Sequence, residues 1–195
     1  TYYGGTSSDY GTAVGTDDSG NVYLGGFTLS TSGIASGGFQ NTIGGGGATD
    51  AFLAKFDAAG NRLWATYYGG SGGSDEGNGI AIDGSNNVYL AGNTRSTINI
   101  ASGGHQNTYG GVPQDAFLVK FNAGGTRLWA TYYGGGGVED YCSIATDASG
   151  NVYLAGLTMS ASSIASGGFQ NTYGGGTYDA FLVKFNSAGA RLWAT

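Results

Sequence analysis

Three turns carry oxygen side chains at alternate positions: Asp17-Asp18-Ser19-Gly20-Asn21, Asp83-Gly84-Ser85-Asn86-Asn87 and Asp147-Ala148-Ser149-Gly150-Asn151. The first, third and fifth positions resemble the start of a calcium loop, yet Thr28, Thr94 and Thr158 stand near the place of the bidentate carboxylate that such a loop carries at its twelfth position. The same residues suit a hairpin turn in which Asp caps backbone N–H groups while Gly or Asn takes positive φ. The turn reading is preferred, so no metal and no other cofactor is expected.

A second set of carboxylates, Asp9, Asp75-Glu76 and Glu139-Asp140, stands about five residues before the first strand signal of each unit. Paired acids serve glycoside hydrolysis, but that reaction needs one asymmetric site, and these acids recur. They are expected to accept loop N–H groups. His105 is the sole histidine and takes a position held elsewhere by Phe39 and Phe169, without a nucleophile context such as Gly-x-Ser-x-Gly. Cys142 occupies a strand position held by Thr12 and Asn78, which suits an inert small residue. No catalytic residue is assigned, and the chain is read as a non-enzyme.

The best binding candidates are the segments Phe39-Gln40-Asn41, His105-Gln106-Asn107 and Phe169-Gln170-Asn171. A ring beside carboxamides can cover the apolar face of a pyranose while the amides bond its hydroxyls, and three copies would add avidity. The competing role is filling space between repeats. Six of the seven basic residues, Lys55, Lys120, Lys184, Arg62, Arg127 and Arg191, also recur. They are expected to pair with Asp50, Asp115 and Asp179, or to lay their stems over Trp64, Trp129 and Trp193.

What must position these groups follows from self-similarity. Thr-Tyr-Tyr-Gly-Gly begins at 1, 66 and 131, and Asn-Val-Tyr-Leu, Ile-Ala-Ser-Gly-Gly and Asp-Ala-Phe-Leu recur in order behind it. This divides the chain into units 1–65, 66–130 and 131–195, with length differences confined to Gly-rich places before Val88 and before Asp50, as loops allow. In each unit a short apolar run, a Gly/Asn turn and a β-prone run read as one hairpin. The Asp-Ala-Phe-Leu and Arg-Leu-Trp-Ala-Thr-Tyr-Tyr runs read as a second. Phe117, Val119 and Phe121 alternate with Ala116 and Leu118, so both faces of the strand are apolar and need cover.

Composition agrees. Glycine fills 41 of 195 positions, proline one, and charged residues 10%, a turn-rich and helix-poor balance, while 40% hydrophobic content exceeds that of a disordered linker. The net charge of −6 excludes a nucleic-acid surface, and no apolar run is long enough to insert in a membrane. Cys142 is alone, which removes a disulfide framework and a Cys-based zinc cage.

The predicted fold is all-β: three four-stranded antiparallel repeats of about 65 residues packed as β-propeller blades, with an open stack or fibre of the same units as the alternative. Asp75-Glu76 before Gly79-Ile80-Ala81-Ile82-Asp83, Asn87-Val88-Tyr89-Leu90-Ala91-Gly92-Asn93-Thr94, Gly110-Gly111, Asp115-Ala116-Phe117-Leu118-Val119-Lys120-Phe121 and Trp129-Ala130-Thr131-Tyr132-Tyr133-Gly134-Gly135 resemble the SBBP-type β-propeller repeat. That resemblance implies a large, modular bacterial protein that is secreted or displayed at the cell surface, and it brings no catalytic motif.

The expected function is an extracellular structural or adhesive repeat module. A carbohydrate-binding module is the alternative, and a secreted hydrolase ranks last. Thr1-Tyr2-Tyr3-Gly4-Gly5 matches the second half of a strand whose first half is Arg191-Leu192-Trp193-Ala194-Thr195. The expected partner is therefore a second copy joined head to tail, or neighbouring repeats of a longer chain, with glycans as possible ligands.

Overall fold

The computed structural model describes residues 2–45, 49–111 and 113–195. None of them is helical. They form twelve strands: β1 (Asp9–Thr16), β2 (Val22–Thr28), β3 (Asp50–Phe56), β4 (Arg62–Tyr68), β5 (Asp75–Ile82), β6 (Val88–Thr94), β7 (Asp115–Phe121), β8 (Arg127–Tyr133), β9 (Glu139–Thr146), β10 (Val152–Thr158), β11 (Asp179–Phe185) and β12 (Arg191–Ala194). The strands make three antiparallel meanders, ordered β1-β2-β3-β4, β5-β6-β7-β8 and β9-β10-β11-β12, and none of the three closes on itself.

Both hairpins of each blade are set by a single acceptor side chain. In the β1–β2 turn the Oδ1 of Asp17 accepts the N–H groups of Ser19 and Asn21, each at 3.0 Å. Gly20 then takes the left-handed backbone at φ 77°. Asp57, Asn122 and Asn186 do the same in the β3–β4, β7–β8 and β11–β12 turns, as in Asn122 Oδ1 accepting from Gly124 and Thr126, each at 3.0 Å. A bulge at Thr12 in β1 and at Asn78 in β5 shifts the register by one residue. Opposite it Gly26 and Gly92 are required, since a Cβ there would sit 1.8 Å from the carbonyl oxygen of Tyr10 or Glu76.

The blades stack face to face. β6 and β7 of the middle blade are buried at every position, as both-sided apolar patterning demands. The same positions alternate in the outer blades: Tyr23 is buried while Leu24 is half-buried, and Leu154 is buried while Tyr153 is half-buried. Blade 1 thus buries its Tyr23 face against the middle blade, and blade 3 buries its Leu154 face.

The long segment between the second and third strands of each blade is an edge cover. Ser36 exchanges two backbone hydrogen bonds with Ala65 of β4, both 2.9 Å, and Ser102 and Ser166 repeat this on Ala130 and Ala194. The outermost strand thereby loses its open edge, the part of a sheet most prone to unwanted pairing.

Candidate functional site

Each joint between blades is made by residues that recur in all three units. At the first, Lys55 Nζ and Trp64 Nε1 both donate to the carbonyl of Ala123, at 3.3 and 3.0 Å. Gly125, at φ 84°, lets that turn lie on the Trp64 ring, where a Cβ would come within 2.9 Å of Cδ2. At the second joint Lys120 and Trp129 hold the carbonyl of Ser187 at 3.3 and 3.0 Å, and Gly189 lies on Trp129. Tyr68 and Tyr133 reach across the same joints to the carbonyls of Ile100 and Ile164.

The lysines do not pair with Asp50, Asp115 or Asp179. Lys55, Lys120 and Lys184 pair instead with the turn residues Asp17, Asp83 and Asp147, at 3.5, 3.2 and 3.5 Å, and lie over Tyr23, Tyr89 and Tyr153. The register explains this, since Asp115 and Lys120 stand near opposite ends of β7. Asp17, Asp83 and Asp147 therefore have their oxygens taken by backbone N–H groups, an Asn amide, a Tyr hydroxyl and a lysine. Burial would raise Asp17 and Asp83, but the Asn21 and Asn87 side chains and the turn N–H groups hold both below the ordinary carboxylate value. Among the described residues no group of three or more His, Cys, Asp or Glu side chains could hold a metal ion.

The carboxylates at the start of each blade accept local donors. Asp75 takes Gly70 N–H at 2.9 Å and the hydroxyls of Ser96, at 2.8 Å, and Thr94; Glu139 takes Gly135 N–H and the hydroxyl of Thr158, at 3.2 and 2.5 Å. Asp50 and Asp115 sit beside them. Burial, reinforced by the neighbouring Asp75 and Glu139, pushes Asp50 up to about 6 and Asp115 up to about 7.

The Phe/His-Gln-Asn segments belong to the edge covers. Gln40, Gln106 and Gln170 donate their side-chain amides to the carbonyls of Thr42, Thr108 and Thr172, at 3.0, 3.1 and 2.9 Å. Gln40 and Gln106 also accept the N–H of Gly69 and Gly134, each at 3.2 Å. Asn41, Asn107 and Asn171 bond the carbonyls of Gly38, Gly104 and Gly168. Phe39 packs near Phe121 of the next blade under the guanidinium of Arg127, 4.3 Å from its centroid. His105 holds the same relation to Phe185, and burial together with Arg191 lowers its pKa. Phe169 is 98% exposed. Cys142 is buried in β9, and its thiol is pushed up by burial and then by Asp140 and Glu139.

One constellation escapes a reading of recurring motifs because its Glu–Asn pair occurs in the middle blade and not at the matching positions of the other two. Glu76 and Asn93 are cross-strand partners. With Asn78, Arg95, Gln114 and Asp140 they line a polar pocket of about 470 Å³. The Oδ1 atoms of Asn78 and Asn93 are buried without a hydrogen-bond partner, and Arg95 Nε donates to Gln114 Oε1 at 3.3 Å. Blade 1 has Tyr10 paired with Phe27 there, and blade 3 has Asp140 paired with Leu157. Variation among otherwise matching repeats is the signal that marks this pocket.

Comparison with known proteins agrees with this geometry. A similar sequence is an uncharacterized WD repeat-containing protein of Acanthamoeba polyphaga mimivirus, 27% identical over 168 residues, covering 76% of this chain and 12% of the relative. The chain therefore spans about an eighth of that protein's length. The family model SBBP, a beta-propeller repeat, matches residues 63–98 and 128–162. Each match runs from the outer strand of one blade into the first two strands of the next, across the joints described above, so this chain carries the SBBP β-propeller repeat in at least these two segments.

Proposed function

We propose that this chain is a non-enzymatic structural or adhesive module, extracellular or displayed on a bacterial cell surface, that is continued head to tail through its blade faces. The observation that carries the reading is the repetition of the joints: the same Lys, Trp, Tyr and turn glycine do the same work at each. Residues that recur in every unit serve packing, and the net charge of −6 with little apolar exposure on the hairpin turns suits a solvated surface. The test is the solution mass of the 195-residue chain over a micromolar concentration series. Growth of mass with concentration is the expected result; a constant 19.6 kDa species would count against it.

Sugar binding is the second reading, and the exposure of Phe169 beside Gln170 and Asn171 is what favours it. The engagement of all three Gln amides within their own loops supports the structural role instead. A glycan array decides between them, with reproducible binding lost in Phe169→Ala and Gln170→Ala as the result that would establish a lectin.

A further inference from the structure

The middle blade places polar groups where its neighbours place packing groups. In blade 1 Tyr10 stacks on Phe27, its cross-strand partner, with ring centroids 4.7 Å apart, and Leu29 follows two residues on. Blade 3 carries Leu157 and Met159 at the positions of Phe27 and Leu29. The middle blade has Glu76 opposite Asn93 and then Arg95. The bulge position differs in the same sense. Thr12 there donates its hydroxyl to the carbonyl of Gly77 across the joint at 2.6 Å, and Cys142 is buried. Asn78 of the middle blade keeps its Oδ1 buried without a hydrogen-bond partner, as does Asn93, which is 7% exposed. Two unmet buried acceptors side by side are a cost that neither neighbouring blade bears.

Blade 3 completes the pocket from across the second joint. Asp140 and Tyr141, at the bulge of β9, line the same space of about 470 Å³ as Glu76, Asn78, Asn93 and Arg95. Asp140 Oδ1 accepts the N–H of Tyr141 at 2.8 Å. Tyr141 holds the left-handed backbone at φ 53°, where blades 1 and 2 carry Gly11 and Gly77. That conformation is unfavourable for an aromatic residue. The ring is 77% exposed, so burial does not offset the strain. A strained, exposed ring beside unmet buried acceptors has no role in packing the blades, and both features meet in one pocket.

We infer that this pocket is a saccharide site, selective for a hexose unit that carries a protonated amine. It rests on the adhesive side of the reading above and is independent of the head-to-tail contact and of the edge covers. The unmet groups are acceptors, so the occupant must donate, and hydroxyl groups supply the buried amide oxygens of Asn78 and Asn93. Glu76 and Asp140 outnumber Arg95 in the lining, which favours an ammonium over a carboxylate on the sugar. The guanidinium has five N–H donors, of which Gln114 Oε1 takes one at 3.3 Å, and the others suit hydroxyl and ring oxygens. Its charge also opposes a bare metal ion. Tyr141 offers an open aromatic face to the apolar side of the pyranose. The volume lies within the range of about 300 to 1,000 Å³ usual for small-molecule sites.

The test is a saturation-transfer NMR titration of the 195-residue chain with glucosamine, glucose and glucuronate, and a separate calorimetric titration with calcium chloride. Glucosamine is expected to bind about tenfold tighter than glucose, and glucuronate weakest. Glu76→Gln is expected to bring glucosamine down to the affinity of glucose. Asn93→Leu is expected to lose the response to both sugars with no fall in its urea midpoint. Tyr141→Gly, which installs the residue that blades 1 and 2 carry, is expected to weaken both sugars about tenfold while leaving the fold intact. Sugar binding that survives both Asn93→Leu and Tyr141→Gly overturns the pocket. A response lost in Phe169→Ala and kept in Asn93→Leu overturns it too, and places the sugar on the edge cover. Calcium binding without any sugar response overturns the saccharide in favour of a cation. Absence of every response overturns the site altogether, while the solution mass still reports on head-to-tail assembly.

Discussion

Trp64 Nε1 donates to the carbonyl of Ala123 at 3.0 Å across the first blade joint, and Trp129 repeats the bond on Ser187 at 3.0 Å across the second. Both rings are 6% exposed. Phenylalanine at either position keeps much of the apolar contact and removes the donor. Each of Trp64→Phe and Trp129→Phe is therefore expected to lower unfolding free energy by about 1 kcal/mol, measured by urea denaturation. Trp193→Phe, at the open face of blade 3, should leave the stability of the dilute chain unchanged.

The three lysine–aspartate pairs make a graded experiment. Lys120 and Asp83 have side chains 7% and 5% exposed, whereas Lys184 and Asp147 are 20% and 31% exposed. Removing one partner of a buried pair strands the other charge, at a cost of about 3 to 5 kcal/mol, while an exposed pair is screened by water. Lys120→Met is expected to be severely destabilising and Lys184→Met mild. Equal effects from the two variants would refute this ordering.

The buried carboxylates set a pH dependence of definite sign. Asp50 and Asp115 are raised to about 6 and about 7, chiefly by burial. Between the ordinary value near 4 and those pKa values the folded chain holds protons that the unfolded chain releases, so stability falls as pH rises through that window. Asp17 and Asp83 are lowered, and their contribution is lost only as pH falls below the ordinary carboxylate range. The melting temperature should be higher at pH 5 than at pH 8. Asp115→Asn should reduce the difference: Asp115 Oδ1 has no hydrogen-bond partner, and both it and Glu139 Oε2 lie within 2.5 Å of the point a Gly134 Cβ would occupy.

Repeats, hairpins and turns were legible because each is signalled by neighbours in the chain. Asp17 caps residues two and four positions on, and Gly20 supplies the positive φ that the turn requires. The both-sided apolar pattern of Phe117, Leu118 and Val119 likewise foretold a strand with cover above and below, and the middle blade supplies it. The lysine partners were not legible, since Lys55 meets Asp17 only after β2 and β3 pair in register. Nor was the edge-cover role of Gln40 and Gln106, because exposed rings beside amides look alike whether the amides face a ligand or their own loop. Glu76 and Asn93 are separated by a hairpin and meet only through antiparallel register.

That last pair leads to a prediction about the middle blade. Asn93 is 7% exposed, and its Oδ1 has no hydrogen-bond partner; Asn78 Oδ1 beside it is in the same state. A buried amide oxygen without a partner costs about 1 to 3 kcal/mol relative to a satisfied one. At the matching position blade 1 carries Phe27 and blade 3 carries Leu157, each opposite the residue that matches Glu76. The same backbone thus accepts an apolar side chain there. Asn93→Leu is expected to stabilise the chain by about 1 kcal/mol, read from the urea midpoint at unchanged slope. Asn93→Asp, which adds a charge next to Glu76 and Asp140 in the same pocket, is expected to destabilise it and more so at pH 8 than at pH 5. Destabilisation by Asn93→Leu would overturn this expectation, since it would show that the unpartnered amide oxygen is not the dominant cost at this position.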